Sequence, residues 1–204
     1  MGGLLQNFRN TMIVSLLLAA VFMVGYAMHA PGGADAIFWQ AALRWAHVGF
    51  GILWIGLLYY FNFVQIRVMP QIPAELKPAI SKHIAPEALF WFRWAAVGTV
   101  VTGAAIALIR GYLLEALTLG LAGGLEDGDT AYAFIGTGMW LALIMFINVW
   151  VFIWPNQKIA LGLVEGDADA KAKAGRTAML FSRTNLLLSL PMLVAMTMNQ
   201  TIFG

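Results

Sequence analysis

Apolar residues come in five long runs along this chain, separated by short stretches rich in glycine, proline and charge. A bilayer core about 30 Å thick needs roughly 20 apolar residues in a helix to cross it. Residues 11–28, 38–64, 88–108, 131–154 and 178–198 meet that requirement. The second run is long enough that it must tilt or extend past the interface. Breakers stand between the runs: Pro31-Gly32-Gly33, the stretch 70–86, Gly123-Gly124 and the stretch 166–175. A further apolar piece, 111–121, is too short to cross and is flanked by glycines, so it is expected as an interfacial or re-entrant segment. No internal repeat divides the chain. The pattern predicts one all-α integral membrane domain over 1–204, a bundle of about five transmembrane helices. The first is read as retained, because no A-x-A-like cleavage site accompanies it.

Charge orients this bundle, since cytoplasmic loops carry the excess of Lys and Arg. The N-terminal stub has Arg9, the second loop Arg67, Lys77 and Lys82 with Arg93 just beyond, and the fourth Lys158, Lys171, Lys173, Arg176 and Arg183. The first loop has no basic residue before Arg44, which already lies in the second helix, and the C-terminal tail has none. The third sets Arg110 against Glu115, Glu126, Asp127 and Asp129. The N-terminus is therefore expected inside and the C-terminus outside, with segment 111–121 on the outer side. Aromatic rings prefer the interface, which puts Trp39 and Trp45 at the outer one. Tyr59, Tyr60, Trp91, Trp94, Trp150 and Trp154 belong to the inner one.

Composition narrows the function classes. Charged residues make up 11% of the chain against about 25% in a soluble domain, and the mean hydropathy is +0.78. A water-exposed surface cannot be built from so few charges. The net charge of +2 is spread over short loops, unlike the basic patch of a nucleic-acid binder. The chain has no cysteine, which excludes disulfides, thiolate metal sites and covalent c-type haem within it. Walker, GxSxG, HExxH and Rossmann glycine patterns are missing as well.

Lipid penalises polar side chains, so those inside the helices carry the information. Arg44, His47, Gly51, Asn62 and Gln65 fall within about 60° of one another at 100° per residue. That stripe must face protein, a cofactor or water. A neutral His47 could ligate haem iron while Arg44 pairs with a propionate; alternatively His47 is a satisfied buried histidine and Arg44 snorkels outward. His29 could be a second axial ligand or simply a solvated helix end, and His83 reads as a surface histidine. Thr137, Trp140 and Asn148 share a face of the fourth helix, and Ser182, Asn185, Ser189, Met196 and Gln200 one of the fifth. Asn62, Asn148 and Asn185 are candidates for contact with a bound cofactor, haem b or a quinone. Against this stands plain interhelical bonding, worth about 0.6 kcal/mol per bond. Ala95, Gly98, Thr99, Thr102 and Gly103 give the third helix a small-residue surface suited to close packing. Pro191 is expected to kink the fifth helix. Glu126-Asp127-Gly128-Asp129 lacks a complete calcium loop and reads as solvated acid.

Five motifs occur in order: Arg44-Trp45-Ala46-His47-Val48 with Trp54-Ile55-Gly56-Leu57-Leu58-Tyr59-Tyr60-Phe61-Asn62; Pro86-Glu87-Ala88-Leu89-Phe90-Trp91-Phe92-Arg93-Trp94; Trp154-Pro155-Asn156-Gln157; Ser182-Arg183-Thr184-Asn185; and Ser189-Leu190-Pro191-Met192. Together they resemble the N-terminal membrane domain of bacterial membrane-bound urate hydroxylases (urate oxidases). Full-length members carry a C-terminal cytochrome c domain. The resemblance thus implies a stand-alone form of the membrane part in a bacterial cytoplasmic membrane, passing electrons to a separate quinone or cytochrome c. Two other classes compete: a non-catalytic subunit of a larger membrane complex, and a small transporter. The last is disfavoured, because the helices show no acidic residue, no buried lysine and no inverted repeat.

Overall fold

A computed structural model describes residues 2–122 and 129–203. Its regular structure is helical, and five helices are long and apolar enough to cross a membrane. They are α1 (Phe8–His29), α2 (Ala36–Gln71), α3 (Lys77–Ile109), α5 (Thr130–Ala160) and α6 (Ala168–Phe203); the short α4 (Leu113–Leu117) lies between α3 and α5. All are longer than the apolar runs in the sequence. Hydropathy marks only what lipid must solvate, whereas helices continue until capping or turn chemistry stops them. Asn7, Asp35, Asp129 and Asp167 accept backbone N–H groups at the starts of α1, α2, α5 and α6, which relieves the donors every helix N-terminus leaves over. The segment 168–177, expected as loop, is alanine-rich and joins α6 because alanine is the best helix former.

The other difference lies in 70–86, expected as one loop but helical from Lys77 onward. Pro86 supplies no N–H to the helix interior. The preceding turn, Ile80–Ile84, is a wider π-helical one, a usual way of absorbing such a break. The same device recurs where Asn148–Ile153 widens just ahead of Pro155. By contrast α6 runs unbroken through Pro191.

The chain divides into two compact units, Met1–Trp45 and Ala46–Gly204. In the first, α1 has no buried residue, as suits a helix that is apolar all round and solvated by lipid. Tyr26 and Phe38 stack at 6.3 Å. They border a groove of about 350 Å³ together with Phe22, Ile37, Ala41 and Trp45.

In the second unit α2, α3, α5 and α6 pack antiparallel to their neighbours around Trp54, Leu58, Phe61, Phe92, Met145, Val149 and Met192. Phe61 meets Phe92 edge-on at 5.5 Å, and Phe152 stacks on Phe181 at 4.1 Å. Between lipid-exposed helices packing and hydrogen bonds, rather than water exclusion, hold such contacts. Gly111 and Gly162 take φ of +74° just past the ends of α3 and α5, the left-handed cap that glycine adopts without strain. Segment 111–121 contains α4, whose Ala116 is fully buried. A Cβ on Gly136 of α5 would run into the Ala116 carbonyl, and Trp140 Nε1 donates to the Leu117 carbonyl at 2.9 Å. Glycine at 136 is what lets the segment seat on α5. Gly123, Gly124, Glu126, Asp127 and Gly128 lie outside the described residues.

Candidate functional site

His47, Asn62 and Gln65 of the α2 stripe turn toward neighbouring helices, whereas a Cβ on Gly51 would meet open space. Trp54 and Leu58, within about 20° of His47 on the helix at 100° per residue, are among the most deeply buried side chains. His47 itself is half-buried against α3. Its Nδ1 lies 2.8 Å from the Thr99 carbonyl and 3.3 Å from Thr102 Oγ1. A carbonyl only accepts, so Nδ1 is the donor, which in a neutral imidazole leaves the lone pair on Nε2. Nε2 has no partner among the described residues. The small-residue surface of α3 makes this approach possible: a Cβ on Gly103 would stand 2.8 Å from His47 Cε1, and one on Gly98 only 2.6 Å from the Phe50 ring. Thr102 completes the seat by donating to the Gly98 carbonyl at 2.6 Å.

Further along α2 the stripe turns to α6. Asn62 Nδ2 lies 2.9 Å from both the Leu58 carbonyl and Ser182 Oγ, and the Tyr59 hydroxyl is 3.3 Å from Ser189 Oγ. Asn62 sits in the π-helical stretch Tyr60–Gln65, the kind of local widening often found at functional positions. The α5–α6 contact carries its own pair. Asn148 Nδ2 donates to Asn185 Oδ1 at 2.8 Å, and Asn185 Nδ2 donates to the Met145 carbonyl at 3.0 Å. Asn185 thus uses both ends of its amide between helices. Asn62 keeps a buried Oδ1 without a donor, as does Gln65 with its Oε1. Of the three asparagines it has the most capacity left for a ligand.

The remaining candidates are described each by its own surroundings. His29 is exposed at the end of α1, where its Nδ1 donates to the Gly25 carbonyl at 2.7 Å. Arg44, half-buried in α2, has no hydrogen-bond or ion-pair partner among the described residues. His83 is exposed, and Gln200 is exposed near the end of α6.

One residue of the interior escaped sequence reasoning. Arg93 is 8% exposed, its Nη1 has no acceptor, and its guanidinium lies 3.4 Å from the centroid of the Trp154 ring. The signal was present: an arginine eight residues past Ala85, with no acid three or four positions away on its helix. Counting it with the preceding loop's positive charge concealed it. Trp54 Nε1 and Trp150 Nε1 are likewise buried donors without acceptors.

Residues 128–203, essentially α5 and α6, match the family model described as urate oxidase N-terminal. This is consistent with the resemblance carried by the Trp154-Pro155-Asn156-Gln157 and Ser182-to-Met192 motifs, which lie within the matched stretch. Neither the curated proteins nor the solved structures contain a match to the chain.

Proposed function

We propose that this protein is a membrane redox module of the urate-oxidase type, in which His47 holds a b-type haem or meets a quinone. The observation that supports it is the hydrogen bond from His47 Nδ1 to the Thr99 carbonyl. Metal-ligating histidines almost always donate their second ring nitrogen to such a partner, which fixes the tautomer and orients the ring. The donor set would suit iron ligation: a neutral imidazole, oriented by Thr99 and Thr102, with Nε2 unused. A haem or quinone bound there supplies one-electron chemistry. The chain's residues contribute the oriented imidazole, the small-residue wall of α3, and an Asn62 carbonyl oxygen able to accept a hydrogen bond. The module is assigned in this reading to a bacterial cytoplasmic membrane. These residues hold no cysteine to carry covalent haem, so electrons would leave them for a quinone or a cytochrome c.

Purified protein expressed with ample haem is expected to show a Soret band and reducible b-type features. His47→Ala should lose them. Gly103→Val, which drives a side chain into the imidazole's seat, should weaken haem uptake while leaving the bundle folded. A colourless wild-type protein that also fails to bind a quinone would refute the reading and favour a non-catalytic subunit.

A further inference from the structure

The seat of His47 between α2 and α3 offers an acceptor and no spare hydroxyl donor. Both threonine protons there are already committed. Thr99 Oγ1 donates to the Ala95 carbonyl at 2.8 Å, and Thr102 Oγ1 to the Gly98 carbonyl at 2.6 Å. A threonine has one hydroxyl proton to give, so neither keeps one for a ligand. The Nδ1 proton of the imidazole goes to the Thr99 carbonyl. What the seat leaves over is the lone pair on Nε2 of the neutral ring.

That atom is within reach of a ligand. His47 is half-buried, and its Nε2 is not one of the unpartnered polar atoms that the fold encloses. A Cβ on Gly103 would stand 3.8 Å from Nε2, so glycine keeps that flank of the ring clear. Val48, Phe50 and Val101, neighbours of the seat along α2 and α3, are exposed. Apolar exposure on a membrane span is exposure to lipid, and a ligand arriving there is lipid-soluble.

An acceptor-only seat tells the two redox forms of a quinone apart. The oxidised form carries carbonyl oxygens, which only accept, and would set lone pair against lone pair at Nε2. The reduced form carries hydroxyls that can donate to it. We propose, on the reading of His47 as a ligand-holding histidine, that its seat takes a lipid-soluble hydroquinone in preference to the corresponding quinone. One hydrogen bond made by one form alone separates the two affinities about tenfold. Tighter binding of the reduced form raises the two-electron potential of the bound couple, by about 30 mV for that ratio.

Retention of decyl-ubiquinol and decyl-ubiquinone by the purified chain in micelles, compared under anaerobic conditions, measures the preference. Wild type should favour the quinol about tenfold. His47→Phe keeps a flat ring and removes the acceptor, so the ratio should fall to about one. Should that variant not fold, Gly103→Ala decides the matter: its methyl would stand 2.8 Å from His47 Cε1, and displacing the ring should lower the ratio. Gly56→Ala, whose Cβ meets nothing within 4 Å, should leave the ratio unchanged. Equal retention of the two forms by wild type would overturn the preference. Tight retention of the quinone that is lost in Arg44→Gln would overturn it too, by supplying the missing donor. A b-type haem spectrum lost in His47→Phe would give Nε2 to iron, overturning the preference while the reading of His47 stands. Wild type that holds neither haem, quinol nor quinone would refute that reading itself.

Discussion

Replacing Asn185 with leucine removes a fully enclosed polar group of the bundle. Asn185 is 0% exposed and makes two interhelical bonds, at 2.8 Å from Asn148 and 3.0 Å to the Met145 carbonyl. Such bonds average about 0.6 kcal/mol each. The larger effect is what the substitution leaves behind, because Asn148 Nδ2 becomes a buried donor without an acceptor, at about 1–3 kcal/mol. The Met145 carbonyl is not stranded, since it also accepts the Asn148 backbone N–H. Asn185→Leu should therefore cost about 2–4 kcal/mol. Asn148→Leu strands Asn185 Oδ1 in turn and should cost about 1.5–3 kcal/mol. The double variant has no stranded amide left, so it should be no less stable than Asn185→Leu alone. Equilibrium unfolding in mixed micelles, followed by circular dichroism on all four proteins, measures the cycle. Additivity within about 0.5 kcal/mol would refute the reasoning, for it would mean that the two amides do not depend on each other.

Gly136→Val should force α4 off α5 and destabilise the fold by about 1–3 kcal/mol, the usual cost of overpacking; faster tryptic cleavage after Arg110 would report the release, and an unchanged melt would contradict the packing. The Lys/Arg alternation predicts that a reporter active only outside the cytoplasm works when fused after Gly204 and is silent within 166–175. The reverse pattern would invert the topology.

What could be read from the sequence was whatever a single helix determines alone. Each helix has its own length of apolar run, and the α2 stripe has its own angular position, so five spans and an inward-facing His47 were both legible. Helix ends were not, because lipid sets the minimum length of a span and Asn7, Asp35, Asp129 and Asp167 set where it begins. Partners were not legible either. Nothing in α2 itself says that His47 will meet Thr99 of α3 while Asn62 meets Ser182 of α6. That depends on the order of helices around the bundle, which is a property of the whole chain.

Arg93 shows the same limit from the other side. In the sequence it is one more positive charge beside a loop, and its worth as an orientation signal does not depend on where its side chain goes. Only the Trp154 ring, 61 positions away in the numbering and 3.4 Å away in space, turns it into a buried cation with unused donors. The bundle thus holds a half-buried imidazole on α2 and a buried guanidinium on α3. Near Thr99 an imidazole donates through Nδ1; beside Trp154 a guanidinium and an ammonium can only donate.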